Sequence, residues 1–521
     1  MKRLSILDST LRDGAQGEGI SFSINDKLDI IEALDDFGVG YIEAGNPFAS
    51  PKDKAFFEKA SKLNLKNAKL VSFGSTRRKE VAAKDDEACL ALLAAGTPVV
   101  TVFGKSSLLH VREVLQTTDD ENLLMIEDTC RFFKENGREV IFDAEHFFDG
   151  YKENPDYTLK TLEAAVNGGA DVICLCDTNG GAFPDDVYKV TEKVVSTFKN
   201  VEIGIHTHND GSMAVANSVM AVKAGATHIQ GTFLGMGERT GNANLSAIIP
   251  NLQLKSDYEC IPEENLSLLT STAIKIAEIA NVTLHKNMPF VGRSAFAHKA
   301  GMHADAVLKA NNTFEHIDPK QVGNHRRFLI SEMTGKAAVQ KMIERYDPSI
   351  DKNSPIVEDV LNQIKEKEFK GYQYEGAQTS LDLIIRKVID PYKPFFNLIS
   401  YKVLDELPYD NGHSATATIK LKVADTVKIA ASDGDGPVDA MDKALREAMN
   451  DFYPCLKKVR LLDYKVRVTE PKLATAAQVR VLITSTDGKE IWTTVGVSQD
   501  IIEASFNALV DSIEYKLLKN R

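Results

Sequence analysis

The chain is poor in the residues that mark several classes of protein. It has one tryptophan, 17 prolines and six cysteines among 521 residues, so neither a disulfide scaffold nor a proline-rich disordered protein is indicated. It also lacks any run of roughly eighteen apolar residues, which argues against a membrane-spanning helix. Positive charge is not in excess, because 62 Lys and Arg oppose 74 Asp and Glu and the net charge is −12. Nucleic acid and anionic membranes are therefore not expected partners.

The residues that are present indicate a large globular protein. Apolar residues make up 43% of the chain and charged residues 26%, enough for two or three folded units with cores of their own. The thinly spread cysteines suit a reducing compartment. The first residues, with few apolar positions before Asp8, are too short for a signal-peptide core. We therefore expect a cytoplasmic protein.

Short β-rich runs alternate with amphipathic stretches from residue 4 to about residue 254. Eight runs can be counted, each separated from the next by enough residues for a helix and two loops: 4–7, 41–44, 69–73, 99–103, 140–142, 171–175, 201–205 and 228–233. In the first intervening helix, Ser23 is the predicted cap and Gly38 the predicted end. The pattern predicts an α/β fold, a (β/α)8 barrel. A doubly wound open sheet is the rival, but no Gly-x-Gly-x-x-Gly follows the first run.

Beyond residue 255 the pattern changes twice. Helical periodicity around 266–279 and 356–367 predicts a helical connector. From residue 395 a unit of three strands and a helix occurs twice, which predicts a pseudo-symmetric α+β C-terminal domain whose halves bury each other's apolar faces. The predicted domains are 1–260 for the catalytic barrel, 261–390 for the connector and 391–521 for a regulatory or dimerisation domain.

Polar residues follow nearly every predicted barrel strand, where barrel enzymes carry their catalytic groups. Asp13 follows strand 1, Glu145 strand 5 and Thr178 strand 6. His206 and His208 end strand 7, two residues apart and therefore on one face of the strand. With Asp13 they make a two-histidine, one-carboxylate metal-ligand set with open positions for water or substrate. Two hydrogen-bonded structural histidines are the alternative.

A glycine-rich segment, residues 235–243 (GMGERTGNA), follows strand 8. Its glycines allow the backbone to come close to a ligand, and closure of the barrel would bring Asn242 near strands 1 and 7. Most glycine-rich turns only turn the chain, so the segment alone indicates little. Its place beside the histidine pair makes it a candidate part of the site.

Three further features have simpler interpretations. Cys174 and Cys176 alternate along strand 6 and are interpreted as barrel packing rather than as a metal pair. The basic cluster 77–79 is either a contact for the phosphate groups of a ligand or a solvated helix start. Phe73 and Phe103, at strand ends, have bulky rings that would shorten a substrate pocket.

Three of the motifs together resemble those of a known family. Residues 8–14 (DSTLRDG), 206–210 (HTHND) and 235–243 are similar to the Claisen-condensing and aldol-cleaving metal barrels, the family of isopropylmalate, homocitrate and citramalate synthases and hydroxymethylglutaryl-CoA lyase. The resemblance continues through 295–305 (AFAHKAGMHAD) and into the doubled unit, which looks like the regulatory dimer domain of the synthases and is absent from the lyases. Residues 16–22 and 433–438 are most similar to the pyruvate-condensing members.

The resemblance implies a divalent cation, Mg²⁺ or Mn²⁺ with Zn²⁺ as the alternative. Asp13, His206 and His208 would hold it, with Asn242 nearby. It also implies that acetyl-CoA condenses with pyruvate, in a reaction that feeds isoleucine synthesis. The cation would polarise the keto group, and Arg12 would bind the keto acid and stabilise the alkoxide that develops.

Further roles follow from the same resemblance. Thr178 would donate to the carboxylate of the keto acid, and Glu145 would orient or activate the thioester methyl group. His303 and Asp305, in the connector, would supply acid–base catalysis from this chain or from a partner chain. A structural histidine is the alternative for His303. Related synthases often carry a tyrosine about where Phe314 stands, so a hydroxyl role is not carried over.

The resemblance of the doubled C-terminal unit to the regulatory domain of the synthases implies control by a branched-chain amino acid, isoleucine or leucine, bound near residues 434–436 and Gly496 of a homodimer. A pure dimerisation module is the alternative. Other functions weighed are an isopropylmalate synthase with a larger keto acid, a retro-aldol lyase, a non-catalytic amino-acid sensor and a metal hydrolase. The C-terminal domain argues against the lyase, the intact ligand set against the sensor, and the histidine pair on the seventh strand against the hydrolase.

Overall fold

The computed structural model describes residues 2–60, 62–299, 301–329, 335–405, 414–469, 477–488 and 490–520. The chain forms two compact units. The first spans Met1–Phe296 and Ile317–Arg326, and the second spans Ala297–His316 and Arg327–Arg521. The predicted domain boundaries at residues 260 and 390 do not coincide with the boundaries of these two units, so the three-domain division stays a prediction. Residue 300 of the 295–305 motif lies outside the described residues.

Eight parallel strands of the first unit close into a barrel in chain order, with the eighth paired to the first. The barrel strands are Ser5–Asp8, Tyr41–Glu43, Lys69–Ser75, Val99–Lys105, Glu139–Glu145, Val172–Asp177, Glu202–Thr207 and His228–Gly231. Each overlaps one of the eight predicted runs, so the predicted (β/α)8 barrel is confirmed. Because the strands all run in one direction, their carboxyl ends meet at one mouth.

Helices connect the strands and cover the barrel. The helices of the first unit are Ile24–Phe37, Pro51–Ala60, Glu87–Ala94, Asp119–Glu135, Phe147–Glu153, Pro155–Asn167, Pro184–Thr197, Ala214–Lys223, Leu245–Lys255 and Leu269–Ile279. The first begins with a capping box between Ser23 and Asp26 and ends at Gly38, whose φ of 99° is left-handed, as predicted. Lys2–Arg3 and Tyr258–Glu259 pair in a separate short sheet. Among the described helices, none is both long and apolar enough to cross a membrane.

The alternation of side chains along the strands divides the core of the first unit in two. One row, which includes Ile6, Val100 and Ile173, belongs to the large core under the helices. Side chains on the opposite face of the strands form a separate small cluster: Leu7, Val71, Val99, Ile141 and Val172. Alternation assigns this cluster to the inside of the barrel. Further along the same inward rows come the polar residues of the mouth.

The second unit contains the doubled domain. Strands Asn397–Asp405, Ala415–Val423 and Thr426–Gly434 form one antiparallel sheet, and helix Pro437–Asn450 follows it. Strands Arg460–Val468, Val479–Thr486 and Ile491–Ser498 form another, followed by helix Ile501–Lys519. Side chains of both copies share one apolar cluster, so the predicted repeat with mutually buried faces is confirmed. Helices Gly301–Lys309, Lys336–Ile343, Pro355–Phe369 and Gln378–Ile389 precede it, and Ala297–His298 pairs with Arg327–Phe328.

Each copy of the repeat needs a glycine where its helix lies on its sheet. A Cβ added to Gly434 would lie 2.3 Å from the backbone nitrogen of Ala440, and one added to Gly496 would lie 1.9 Å from the carbonyl oxygen of Ala504. Both glycines therefore have a packing role, and their space is filled by the domain's own helices. The expected effector position beside them gains no support from this geometry and stays a prediction.

Candidate active site

Three predicted metal ligands meet at the mouth of the barrel. The Nε2 atoms of His206 and His208 lie 3.3 Å apart, and Oδ2 of Asp13 lies 3.6 Å from the first and 3.8 Å from the second. All three side chains are buried. One ligand atom of each lies within 4.8 Å of the others, so these residues could hold a single cation.

Strand ends and one turn place these ligands. His206 lies in the seventh barrel strand and His208 directly after it, so both imidazoles project to the inner face. Asp13 lies in the turn after the first strand. Burial would raise the pKa of Asp13, but the positive charge of Arg12 is the largest influence that lowers it, to about 2. Burial lowers the pKa of both imidazoles. The cluster is therefore a carboxylate with two neutral imidazoles at neutral pH.

Two residues behind His206 were not predicted. Its Nδ1 lies 3.1 Å from Oε1 of Gln230, whose amide nitrogen donates to Asp143 at 2.8 Å. An amide oxygen only accepts, so His206 carries its proton on Nδ1 and keeps the Nε2 lone pair for the cluster. Burial, and after it the nearby charge of Glu43, raises the pKa of Asp143 to about 8. Gln230 and Asp143 occupy inward-facing positions of their strands, and this alternation was the sequence signal that could have found them.

Arg12 is fixed from three sides. Its Nε donates to Glu43 at 2.6 Å and its Nη1 to Asp13 at 3.1 Å. Its guanidinium carbon lies 3.8 Å from the ring centroid of Phe73. Glu43 is fully buried and also accepts from the hydroxyl of Ser9 at 2.7 Å. A guanidinium held in this way can stabilise negative charge that develops beside the ligands.

A cavity of about 240 Å³ opens over the cluster. Its walls combine the three predicted metal ligands with three of the other predicted site residues, Arg12, Glu145 and Thr178. The wall residues are Arg12, Asp13, Gln16, Phe73, Phe103, Asp143, Glu145, Cys176, Thr178, His206, His208, Glu238 and Arg239. The rings of Phe73 and Phe103 stack with centroids 5.1 Å apart, so together they form one apolar wall.

Glu145 and Thr178 reach the same cavity from neighbouring strands. The carboxylate of Glu145 pairs with Lys105. The hydroxyl oxygen of Thr178 accepts from the backbone N–H of His146 at 2.8 Å, and its carbonyl accepts from Arg239 at 2.8 Å. Because that oxygen already accepts one bond, its own hydrogen can donate into the cavity.

Asn242 lies beside the ligands through the glycine-rich segment. It forms a β-bridge with His208, and its amide nitrogen donates to the carbonyl of Met236 at 3.2 Å. A Cβ on Gly237 would lie 2.2 Å from that nitrogen, so a larger residue there would displace the amide. Within the described part of the chain, the buried Oδ1 atoms of Asn242 and Asp13 have no hydrogen-bond partner.

The basic cluster after the third strand is mostly bound to carboxylates. Arg77 is buried and pairs with Glu121 and with Asp128, each at 2.8 Å. Arg78 pairs with Asp86 at 3.0 Å. These contacts favour a structural role for the two arginines over the contact with coenzyme A phosphates.

The two cysteines of the sixth strand lie close to a carboxyl group. One ligand atom each of Cys174, Cys176 and Asp143 falls within 4.8 Å of the others. Burial raises the pKa of Cys176 to about 11 and raises that of Cys174 as well, so both are thiols near neutral pH. Metals bind the thiolate form. The arrangement agrees with barrel packing.

His303 and Asp305 lie in the second unit, on helix Gly301–Lys309. The exposed imidazole of His303 stacks on Phe314 with ring centroids 4.0 Å apart. A hydrogen bond from Lys309 lowers the pKa of Asp305. Neither contact decides a catalytic role, so both assignments stay predictions.

Comparison with known proteins reaches both units. The HMGL-like family matches residues 3–283, the homocitrate synthase post-HMGL domain-like family 290–371, and the LeuA allosteric (dimerisation) domain 375–517. The (R)-citramalate synthase of Aquifex aeolicus is 52% identical over 100% of this chain and 98% of its own, and that of Geobacter sulfurreducens is 45% identical over 100% and 98%. The chain belongs to the citramalate synthase family.

Membership of the citramalate synthase family agrees with the resemblance that the three motifs indicated. It extends over the barrel, the region that follows it and the doubled domain. A 2-isopropylmalate synthase from Methanocaldococcus jannaschii is also similar, at 30% identity over 99% of this chain and 95% of its own.

Proposed function

We propose that the chain condenses acetyl-CoA with pyruvate and water to give (R)-citramalate and coenzyme A, in a reaction that supplies isoleucine synthesis. The observation that carries this proposal is identity of 44–52% with five (R)-citramalate synthases over 99–100% of the chain. Three 2-isopropylmalate synthases reach 30–31%. The carboxylate and imidazoles at the barrel mouth suit the chemistry.

The ligand cluster fits a divalent cation. The buried Oδ1 atoms of Asp13 and Asn242 lack partners among the described residues, which is unfavourable unless a ligand satisfies them. Nitrogen and oxygen ligands without thiolate suit a hard or borderline ion. We therefore assign Mg²⁺ or Mn²⁺, with Zn²⁺ as the alternative, to Asp13, His206 and His208, with Asn242 beside them. When bound, such a cation polarises the keto group as a Lewis acid.

Three kinds of side chain would bind and orient the keto acid. Thr178 would donate its hydroxyl hydrogen to the carboxylate. Arg12, held by Glu43, would stabilise the negative charge on the keto oxygen as the new C–C bond forms. The stacked rings of Phe73 and Phe103 would limit the size of the substituent on the keto carbon.

Glu145 is the proposed base. Its carboxylate faces the cavity and would take a methyl proton from acetyl-CoA as the methyl carbon attacks the keto carbon. His303 and Asp305, from this chain or a partner chain, would return a proton to the alkoxide oxygen. Water then cleaves the thioester and releases coenzyme A.

The doubled domain is proposed to bind isoleucine or leucine and to join two chains in a homodimer. The match to the LeuA allosteric (dimerisation) domain supports both assignments. Apolar side chains such as Leu404 and Val466 are exposed along its outer strands, which favours a partner surface.

All six cysteines are free thiols, in keeping with the expected cytoplasmic location.

The proposal is tested by following coenzyme A release from acetyl-CoA. Metal-stripped protein is assayed alone and after addition of Mg²⁺, Mn²⁺ or Zn²⁺, with and without pyruvate, and the product is identified by NMR and chiral chromatography. We expect release that requires both a cation and pyruvate and yields (R)-citramalate. Release without any keto acid would indicate a thioesterase, and no release with any keto acid would contradict the proposal.

A further inference from the structure

The fifth barrel strand passes into its helix through a single left-handed residue. The strand ends at Glu145 and helix Phe147–Glu153 begins two residues later. His146, between them, has φ 59° and ψ 34°. Residues with a Cβ adopt this conformation rarely and at an energetic cost, and such outliers concentrate at functional sites. We name Glu145, His146 and Phe147 the elbow.

Packing holds the elbow in place. A Cβ on Gly150 would lie 2.3 Å from the carbonyl oxygen of Ser106, so the short helix lies directly on the end of the neighbouring strand. The backbone N–H of Ser106 donates to the carbonyl of Glu145, and that of Gly150 donates to the carbonyl of His146. The imidazole of His146 stacks on His110 with centroids 3.7 Å apart. The surroundings therefore determine the strained conformation.

The strained residue makes one hydrogen bond that reaches the substrate cavity. Its backbone N–H donates to the hydroxyl oxygen of Thr178 at 2.8 Å. On the other side, Arg239 donates to the carbonyl of Thr178 at 2.8 Å and is itself left-handed, with φ 56°. Two left-handed residues thus donate to the hydroxyl oxygen and to the carbonyl of Thr178, and the hydroxyl hydrogen remains to donate elsewhere.

We propose that His146 is a positioning residue for the keto acid: its left-handed backbone aims the N–H at Thr178 and so turns the hydroxyl hydrogen of Thr178 toward the keto-acid carboxylate. This inference rests on the proposed function, in which Thr178 binds that carboxylate. The imidazole supports the backbone conformation through His110 and through Asp149, whose Oδ2 lies 3.3 Å from its Nδ1. The conformation, rather than the ring, is what the reaction requires.

The test compares residues that differ in their tolerance of the left-handed conformation. His146→Val disfavours it strongly, whereas His146→Gly adopts it freely. We expect His146→Val to raise the KM for pyruvate about tenfold or more, the loss typical of a hydrogen bond to a charged group, with little change in the KM for acetyl-CoA. His146→Gly should recover most of this loss. An equal fall in kcat in both variants would instead show that the imidazole acts directly, and would overturn the proposal.

Three more variants separate positioning from folding. Thr178→Val should raise the KM for pyruvate as His146→Val does, and the double variant no further, because both act through one hydroxyl. Additive losses would overturn the positioning role. Asn281→Val introduces the same strain at an exposed left-handed residue, φ 52°, and should lower the melting temperature without changing that KM. If His146→Val does not fold, His146→Ala replaces it and is expected to lie between the valine and glycine variants.

If the unaltered protein fails to turn over acetyl-CoA and pyruvate, the proposed function falls rather than the role of His146. If it turns them over and His146→Gly loses as much affinity for pyruvate as His146→Val does, the proposed function stands and only the positioning role of His146 is refuted.

Discussion

Buried charges at the barrel mouth are balanced by close partners. The fully buried carboxylate of Glu43 accepts from Arg12 and Ser9, and Arg12 in turn donates to Asp13. A buried charge without such partners would be strongly destabilising. The same arrangement keeps Asp13 ionised and directs one guanidinium group toward the place where an alkoxide would form.

The first prediction concerns the proposed ligand cluster. Asp13→Ala or His208→Ala removes one ligand and should lower turnover by about three orders of magnitude, because cation activation supplies several kcal/mol of transition-state stabilisation. Steady-state release of coenzyme A, metal content and circular dichroism check this. His285→Ala, which removes an exposed histidine of the same unit, should have no effect. Substantial activity in a folded, metal-free double variant would contradict the assignment.

Sequence reasoning named the three residues proposed as ligands, which the structure brings together, but not the residues that orient them. The spacing of His206 and His208 is local, so alternation along one strand was enough. Gln230 and Asp143 contact each other across 87 positions of sequence. That contact exists only because the barrel closes: alternation along each strand places both side chains on the inner face, but it does not indicate that the two meet. The strained conformation of His146 is likewise set by packing from elsewhere.

At the scale of elements, the sequence predicted all eight barrel strands but not where each strand ends. The fifth predicted run stops at residue 142, but the strand continues to Glu145. Two of the three added residues, Asp143 and Glu145, are polar, and polarity near a run's end is typical of a loop. Here they remain in register with the fourth strand, where Lys105 lies opposite Glu145, because charge pairing replaces apolar packing at the mouth. The extension is what places Asp143 and Glu145 on the inner face.

The second prediction concerns the close contact between helix and sheet in the doubled domain. Gly496→Ala would bring a Cβ within 1.9 Å of the carbonyl oxygen of Ala504 and must separate the helix from the sheet. We expect the melting temperature of the second unit to fall by several degrees or the unit not to fold, as scanning calorimetry would show. Gly436→Ala is the matched control, since nothing lies within 4 Å of its added Cβ. Equal stability of the two variants would rule out this packing role.

A third prediction concerns a partly buried carboxyl group between two helices of the second unit. Asp511, on helix Ile501–Lys519, accepts from the hydroxyl of Ser380, on helix Gln378–Ile389, at 2.7 Å. Burial raises the pKa of Asp511 from 3.8 to about 6 in the folded protein. The folded state therefore binds more protons than the unfolded state between these values, and stability falls as pH rises through that window.

Asp511→Asn removes this dependence while keeping an acceptor for Ser380. The variant should be more stable than the unaltered protein above pH 6, by about 2–3 kcal/mol, and the advantage should vanish toward pH 4. Thermal unfolding across this pH range measures it. Asp425→Asn, at an exposed position, should follow the unaltered protein throughout. An advantage that grows as the pH falls would refute the assignment.

At the scale of the whole molecule, one chain combines a barrel with a doubled domain that carries no comparable set of strand-end ligands among its described residues. The order of the two parts was predictable, because each has its own repeat along the sequence. The unit boundaries were not, since residues 297–316 belong to the second unit and 317–326 to the first. Such an interleaved boundary depends on contacts distant in sequence and leaves no change in composition.

The fourth prediction concerns control by the doubled domain. Isoleucine titrated into the full-length protein should bind by calorimetry and shift the apparent affinity for pyruvate, or the rate, by roughly 5–150-fold, the range of typical coupling between distant sites. Leucine should be compared in the same way. If neither amino acid binds, the regulatory role fails and only a dimerisation role remains, which sedimentation would show as a dimer.

The central claim is the identity of the keto acid. It is tested most directly by kcat/KM for pyruvate, 2-oxobutanoate and 2-oxoisovalerate at saturating acetyl-CoA. Each extra methylene that the Phe73–Phe103 wall excludes is worth about 1–3 kcal/mol. We predict the highest value for pyruvate, a modest fall for 2-oxobutanoate and a larger one for 2-oxoisovalerate. The highest value for 2-oxoisovalerate would make the chain an isopropylmalate synthase and contradict the account.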